Sequence, residues 1–380
     1  MDILPFLTAL TTPATGPHRH DLAEVMTARA DILSMSAQAN AAVVSPQKPG
    51  RLSHTLRTAL AARMARLSCA PALATLYLET LDGLNPTASF TALAQNDVLP
   101  EADAFVTALV RYADLVTVRP KDATQADIEG LRQAGLTDAE IVHLAELIAC
   151  VCYLSRLTLG MQALTGVEAG TLADTQAPAT DKHTDARAQE RTAGFTADPL
   201  EWIPYLQPVK LEDATEEQRD AMKITPSNTK ISDYVLTLAH DPESLAVRSP
   251  LFNAIMYGRD GLSRAGREMG ALGCSLINHC LYCASVHARR FIQLTKRPEL
   301  VETLFSEGPD ACLNDEYWQP IFDFSVKLTR TPTTFSSADV TFLRDHGLSD
   351  LEIFDLICAT GIFGWANRLM HTLGHSVSPP

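Results

Sequence analysis

The segment Asn278-His279-Cys280-Leu281-Tyr282-Cys283-Ala284-Ser285-Val286-His287 concentrates more reactive chemistry than any other stretch of this chain. Two thiols at Cys-x-x-Cys spacing can cycle between dithiol and disulfide. His287, four residues past Cys283, falls on the same helical face and can serve as the base that makes a thiolate. Glu268, twelve residues before Cys280, supplies a carboxylate behind that base. Two thiols, a base and a carboxylate make a redox site. The same cysteines with His287 also supply three zinc ligands, with His279 or Glu268 as a fourth. Structural zinc sites usually gather ligands from separated loops, so no metal is expected.

The elements around these residues must hold them in place. Ser263 to Leu276 has a helical pattern with Arg267 and Glu268 in its first turn. Asn278 is a suitable N-cap for a second helix starting near His279 and running through Phe291. The cysteines would then meet the free N–H groups and positive dipole end of a helix start. Such a setting can lower a thiol from about 8.5 toward neutrality. Spacing alone leaves the order of attack open, because Cys280 is nearer the dipole and Cys283 nearer His287.

A chain of 380 residues exceeds a typical single core, which makes two domains the default. The composition is 46% hydrophobic, 20% charged and only 6% aromatic, with abundant alanine and leucine. That profile favours helices packed closely on small side chains. A net charge of -14 argues against nucleic acid and anionic membrane as partners. The apolar stretches Ile141 to Leu154 and Ile353 to Ala366 are too short to span a bilayer, and the N-terminus lacks a secretory pattern. A cytoplasmic protein is expected. Its eight cysteines are too sparse for a disulfide scaffold.

The chain also reads as a diverged tandem repeat. Gly135-Leu136-Thr137-Asp138-Ala139-Glu140-Ile141 recurs as Gly347-Leu348-Ser349-Asp350-Leu351-Glu352-Ile353, and Pro120, Asp127, Leu131 and Arg156 match Pro332, Asp339, Leu343 and Arg368 in the same register. Each copy has a short amphipathic helix, a glycine turn and a capping-box pattern opening a long apolar helix. The expected organisation is all-α, with one helical domain over 1–166, a linker over 167–197 and a second helical domain over 198–380. The segment Ile3 to Gln47 reads as an arm with one or two short helices, and Trp202 to Pro208 as an extended arm. Aligning Arg57–Tyr77 with Arg267–His287 sets Thr58, Ala70, Leu73 and Tyr77 opposite Glu268, Cys280, Cys283 and His287. A shift by one places Cys69 opposite Cys280. Neither register gives the first copy a redox set, so its expected role is structural.

Glu268, Cys280, Cys283 and His287, at spacings of twelve, three and four, resemble the active-site pattern of the AhpD-like alkyl hydroperoxidases of the carboxymuconolactone decarboxylase superfamily. The Trp365-Ala366-Asn367-Arg368 helix resembles the one packed behind that site. The likeness covers about residues 195 to 380 well, and the first half more faintly. It implies two tandem AhpD-like helical domains that form homo-oligomers and reduce organic hydroperoxides without a bound cofactor. By the same likeness Cys283 is the attacking thiol, Cys280 the resolving thiol, His287 the base and Glu268 its support. A lipoyl-type or thioredoxin-like dithiol would restore the pair. Tyr282 stands where the family often has histidine. A decarboxylase-like lyase acting on a small acid and a non-enzymatic redox-responsive scaffold are the competing readings.

The remaining candidates read as structure. Cys150, Cys152, Cys274, Cys312 and Cys358 are expected in the core, and Trp202, Trp318 and Trp365 as packing anchors. His18, His20, His371 and His375 are expected on a solvated surface, as are Arg289 and Arg290.

Overall fold

The computed structural model describes residues 1–11, 19–95, 103–166, 194–223, 225–226, 230–331 and 335–379. Most of the expected linker, along with His18 and Pro332, lies outside these residues. The first half contains α1 (Leu4–Ala9), α2 (Arg19–Ala28), α3 (Ala30–Val44), α4 (His54–Leu67), α5 (Pro71–Gly83), α6 (Ala88–Gln95), α7 (Ala104–Val118), α8 (Gln125–Gln133) and α9 (Asp138–Thr165). The second contains α10 (Glu216–Ala221), α11 (Asp233–Leu238), α12 (Pro242–Tyr257), α13 (Arg264–Ile277), α14 (Leu281–Thr295), α15 (Pro298–Glu307), α16 (Trp318–Thr329), α17 (Ser337–Asp345) and α18 (Asp350–Thr372). Among the described residues the protein is all-α apart from one small antiparallel pair, β1 (Glu201–Pro204) with β2 (Gly374–Val377), in which the expected extended arm finds its partner.

The local grammar of the two halves recurs. Thr124 with Asp127 and Ser336 with Asp339 form capping boxes at α8 and α17. Thr137 with Glu140 and Ser349 with Glu352 do the same at α9 and α18. Ser53 and Ser263 each cap a helix by accepting a backbone N–H. Cys69 and His279 both take left-handed φ, 56° and 53°, just before the N-caps Ala70 and Cys280. The two kinks coincide in the register that sets Ala70 opposite Cys280 and not in the one that sets Cys69 there.

The halves share one continuous apolar core. At its centre α9 crosses α18, and the backbones approach where glycine allows. A Cβ on Gly160 would lie 2.4 Å from Ile357 Cγ2. Arginines are exchanged across the contact: Arg156 Nη2 of α9 donates to the Thr329 carbonyl at the end of α16, 2.7 Å, while Arg368 of α18 donates to the Val116 and Thr117 carbonyls near the end of α7, 3.0 and 2.8 Å. Each satisfies helix-terminal carbonyls that lack an intrahelical partner. The α9 helix is long and apolar enough to cross a membrane, but 94% of its most apolar window is buried inside the protein, as expected of a core helix.

The N-terminal region is more ordered than an arm. The 15-residue α3 packs against α12, and α2 against α18. Beside them, Arg29 and Arg267 converge on one carboxylate. Arg29 Nε reaches Asp355 Oδ1 at 2.7 Å, and Arg267 Nη2 reaches Oδ2 at 2.6 Å, with Asp355 2% exposed. The sequence placed Arg267 beside Glu268. The structure turns it away from the thiols, to the Asp355 pair.

Candidate active site

Glu268 sits just past the first turn of α13, fully buried. Its Oε1 accepts from Arg264 Nε at 2.5 Å, and its Oε2 is bonded to Nδ1 of His287. Arg264 and Glu268 are four apart on one helix, an arrangement that brings their side chains together. An ionised carboxylate can only accept, so Nδ1 carries the hydrogen and Nε2 is left as the basic nitrogen. Among the described residues Nε2 has no hydrogen-bond partner. Phe363 of α18 packs edge-on to the imidazole, with ring centroids 4.3 Å apart, and fixes the ring from the other side.

Burial raises the Glu268 carboxyl, but His287 and then Arg264 outweigh it and hold the group below its ordinary 4.5. The carboxylate therefore stays charged and keeps the imidazole in one tautomer, as a carboxylate behind a catalytic histidine does.

The start of α14 lies two residues later than the sequence implied. Asn278 is the C-cap of α13 and not an N-cap, because its side-chain amide donates to Cys274 Sγ at 3.3 Å and to Asn367 Oδ1 at 3.1 Å. His279 makes the left-handed turn, and Cys280 becomes the N-cap. Cys283 then occupies the first turn, and His287 follows one helical turn later on the same face. Cys280 is 2% exposed and Cys283 5%.

Burial pushes the Cys280 thiol well above its ordinary range, and its side-chain hydrogen bond with Cys283 pushes it further the same way. The Cys283 amide pulls it back only in part. The fall toward neutrality expected for a helix-start cysteine is therefore overturned at Cys280. Desolvation exceeds the attraction of the helix end.

A pocket of about 140 Å³ opens beside Cys280, lined among others by Tyr205, His279, Tyr282, His371 and His375. That is room for a group roughly the size of benzene. His371 and His375 were expected on an open surface. His375 is exposed as expected, whereas His371 is half-buried, and both line this pocket. Cys312, expected in the core, is exposed, whereas Cys150, Cys152, Cys274 and Cys358 are buried. The tryptophans do anchor packing: Trp365 Nε1 donates to Glu146 Oε2 and Trp202 Nε1 to the Met370 carbonyl, both at 2.7 Å. Among the described residues no group of three or more His, Cys, Asp or Glu is arranged to hold a metal ion.

The residues that the sequence alignment set opposite Glu268 and His287 are Thr58 and Tyr77. Thr58 bonds back to the His54 carbonyl at 2.8 Å, and buried Tyr77 donates to Asn40 Oδ1 at 2.7 Å. Sequence reasoning missed Arg264 and Phe363. Arg264 had a legible signal, an arginine four residues before a glutamate on one helix. Phe363 had none.

Residues 242–312, which include every member of the Arg264–Glu268–His287 relay and both thiols, match the carboxymuconolactone decarboxylase family model. A solved structure described as an uncharacterized peroxidase-related protein from Silicibacter sp. TM1040 is 28% identical, covering 43% of this chain and 87% of that one at a TM-score of 0.36. No curated protein matches the chain.

Proposed function

We propose, on the premise that the C-terminal part of this chain is a carboxymuconolactone decarboxylase family domain, that it is an AhpD-like thiol peroxidase acting on organic hydroperoxides. The observation that carries the reading is the Cys283 thiol, one helical turn from an imidazole whose Nδ1 is tied to a buried carboxylate and whose Nε2 is free to accept a proton. A lyase on a small acid has no use for the second thiol. A passive scaffold has no use for a charged, arginine-braced glutamate behind the histidine.

His287 Nε2 takes the Cys283 proton. The thiolate attacks one peroxide oxygen, the O–O bond breaks, and sulfur is oxidised to a sulfenic acid. The departing alkoxide takes the proton held on His287 and leaves as an alcohol. Cys280, held as a thiol by burial until this point, gives up its proton as its sulfur attacks the Cys283 sulfur, and that proton joins the departing sulfenic hydroxyl. A disulfide forms and water leaves. An external dithiol, lipoyl-type or thioredoxin-like, reduces the disulfide by exchange. The pocket beside Cys280 supports entry of that dithiol at Cys280.

The recurrence of caps, kinks and exchanged arginines supports a tandem duplication over 1–166 and 198–380 in which the first copy is structural. The same reading places the chain in the cytoplasm as a homo-oligomer of duplicated subunits. The test uses cumene hydroperoxide on reduced Cys280→Ser and Cys283→Ser variants, trapping sulfenic acid with a dimedone reagent. Trapping on Cys283 in the Cys280→Ser variant is expected. Trapping only in the Cys283→Ser variant would reverse the roles, and none in either would remove the function.

A further inference from the structure

The helix that carries Glu268 starts from a turn wrapped around Asp355. Asp260 and Gly261 both have positive φ, 61° and 66°, and a Cβ on Gly261 would fall 2.2 Å from Asp355 Oδ2. The turn leaves an open concavity of about 320 Å³, lined among others by Tyr257, Asp260, Ser263, Arg264, Arg267 and Arg290. Its volume lies at the small end of the range for organic ligand sites.

Its lining sets three arginines against the single Asp260 carboxylate, in a chain of net charge -14. Arg264 uses Nε on Glu268 and Nη1 on the Met256 carbonyl, while the Tyr257 ring lies 3.9 Å from its Cζ. Its Nη2 has no hydrogen-bond partner among the described residues. Arg267 is 2% exposed, and its buried Nε has no partner either. The Asp355 carboxylate behind it is shared with Arg29, so one negative charge serves two guanidiniums. Arg290 is exposed, bonds only to the neutral Gln293 at 2.5 Å, and has no carboxylate partner among the described residues. The 14-residue α13 also begins here with its positive end.

We propose that this concavity binds a small organic anion bearing a carboxylate or phosphate group, gripped by Arg264 and Arg290, and that its occupancy tunes the Glu268–His287 base through Arg264. The anion site stands by itself. The tuning rests on the peroxidase reading. An anion that engages Arg264 offsets the positive charge that Glu268 feels. Glu268 then stabilises the imidazolium more strongly, and His287 becomes the stronger base.

The experiment is titration calorimetry of the full chain with citrate and with inorganic phosphate, chloride serving as the control at matched ionic strength. Saturable binding of citrate or phosphate is expected, weakened about tenfold or more in Arg290→Glu and largely kept in Arg290→Lys, as for a charge-assisted contact. Absence of saturable binding at millimolar anion, or equal binding by Arg290→Glu, would overturn the site. Thiol oxidation is then followed against pH with and without citrate. An upward shift of the acid limb in the wild type and in Arg290→Lys, absent in Arg290→Glu, is expected. Binding without that shift overturns the tuning. Binding to a protein whose thiols ignore peroxide leaves the anion site standing and removes the peroxidase.

Discussion

Glu146 offers a quantitative test of how the two halves are joined. It lies fully buried on α9 of the first half, bonded through Oε2 to the Trp365 indole of the second, with Oε1 unpartnered. Burial lifts its carboxyl from the ordinary 4.5 to about 7, and Arg248 and the Trp365 hydrogen bond offset this only in part. A carboxyl raised in the folded state binds its proton more tightly there than in the unfolded chain. Its contribution is fully present below about pH 4.5 and is lost as pH rises toward about 7. At about 1.4 kcal/mol per pH unit, the loss amounts to about 3 kcal/mol. Glu146→Gln keeps an acceptor for Trp365 and removes the titration. Urea unfolding of both proteins, followed by tryptophan fluorescence at about pH 5 and about pH 8, isolates this group as the difference between the two pH profiles. The wild type should lose about 2.5 kcal/mol more than the variant over that interval, since part of the contribution has already gone by about pH 5. Parallel profiles would refute the assignment of a neutral, buried Glu146 at the junction.

Three further outcomes follow from the packing and the relay. Asp355→Asn leaves Arg29 and Arg267 without a counter-charge in the interior, and should lower unfolding stability by about 3–5 kcal/mol in urea titrations. Gly160→Val puts side-chain atoms where Ile357 already lies and should cost about 1–3 kcal/mol, visible as a lowered thermal midpoint. His287→Gln should slow Cys283 oxidation by about a hundredfold or more, measured by stopped-flow with excess peroxide, without lowering the urea midpoint by more than about 1 kcal/mol.

Much of the site was legible because its members are close in sequence and helical geometry does the rest. Cys283 and His287 share a face by spacing alone, and the serine and threonine capping boxes fall where their patterns predicted. The start of α14 was not legible. Asparagine at 278 is a good N-cap in isolation, but its amide is claimed by Asn367, eighty-nine positions away. With Asn278 closing α13, the chain must turn at His279 before a new helix can begin. Arg267 adjoins Glu268 in the sequence, but successive helical residues diverge by about 100°, so it faces elsewhere. Its partner Asp355 belongs to α18. The lowered thiol expected at Cys280 failed for a related reason. Spacing reveals the helix end, whereas the degree of burial depends on helices that pack from elsewhere in the chain. The α3–α12 contact was invisible for the same cause, since the sequence of α3 shows an apolar helix but not its destination.

The central claim is that Cys280 and Cys283 form one redox unit, and the most direct measurement counts thiols. Reduced protein is treated with a single equivalent of cumene hydroperoxide, and free thiols are titrated under denaturing conditions before and after. The account predicts the loss of two thiols per chain, a Cys280–Cys283 disulfide in the peptide map, and recovery of both thiols on adding dihydrolipoamide. Eight unchanged thiols after excess peroxide would contradict it.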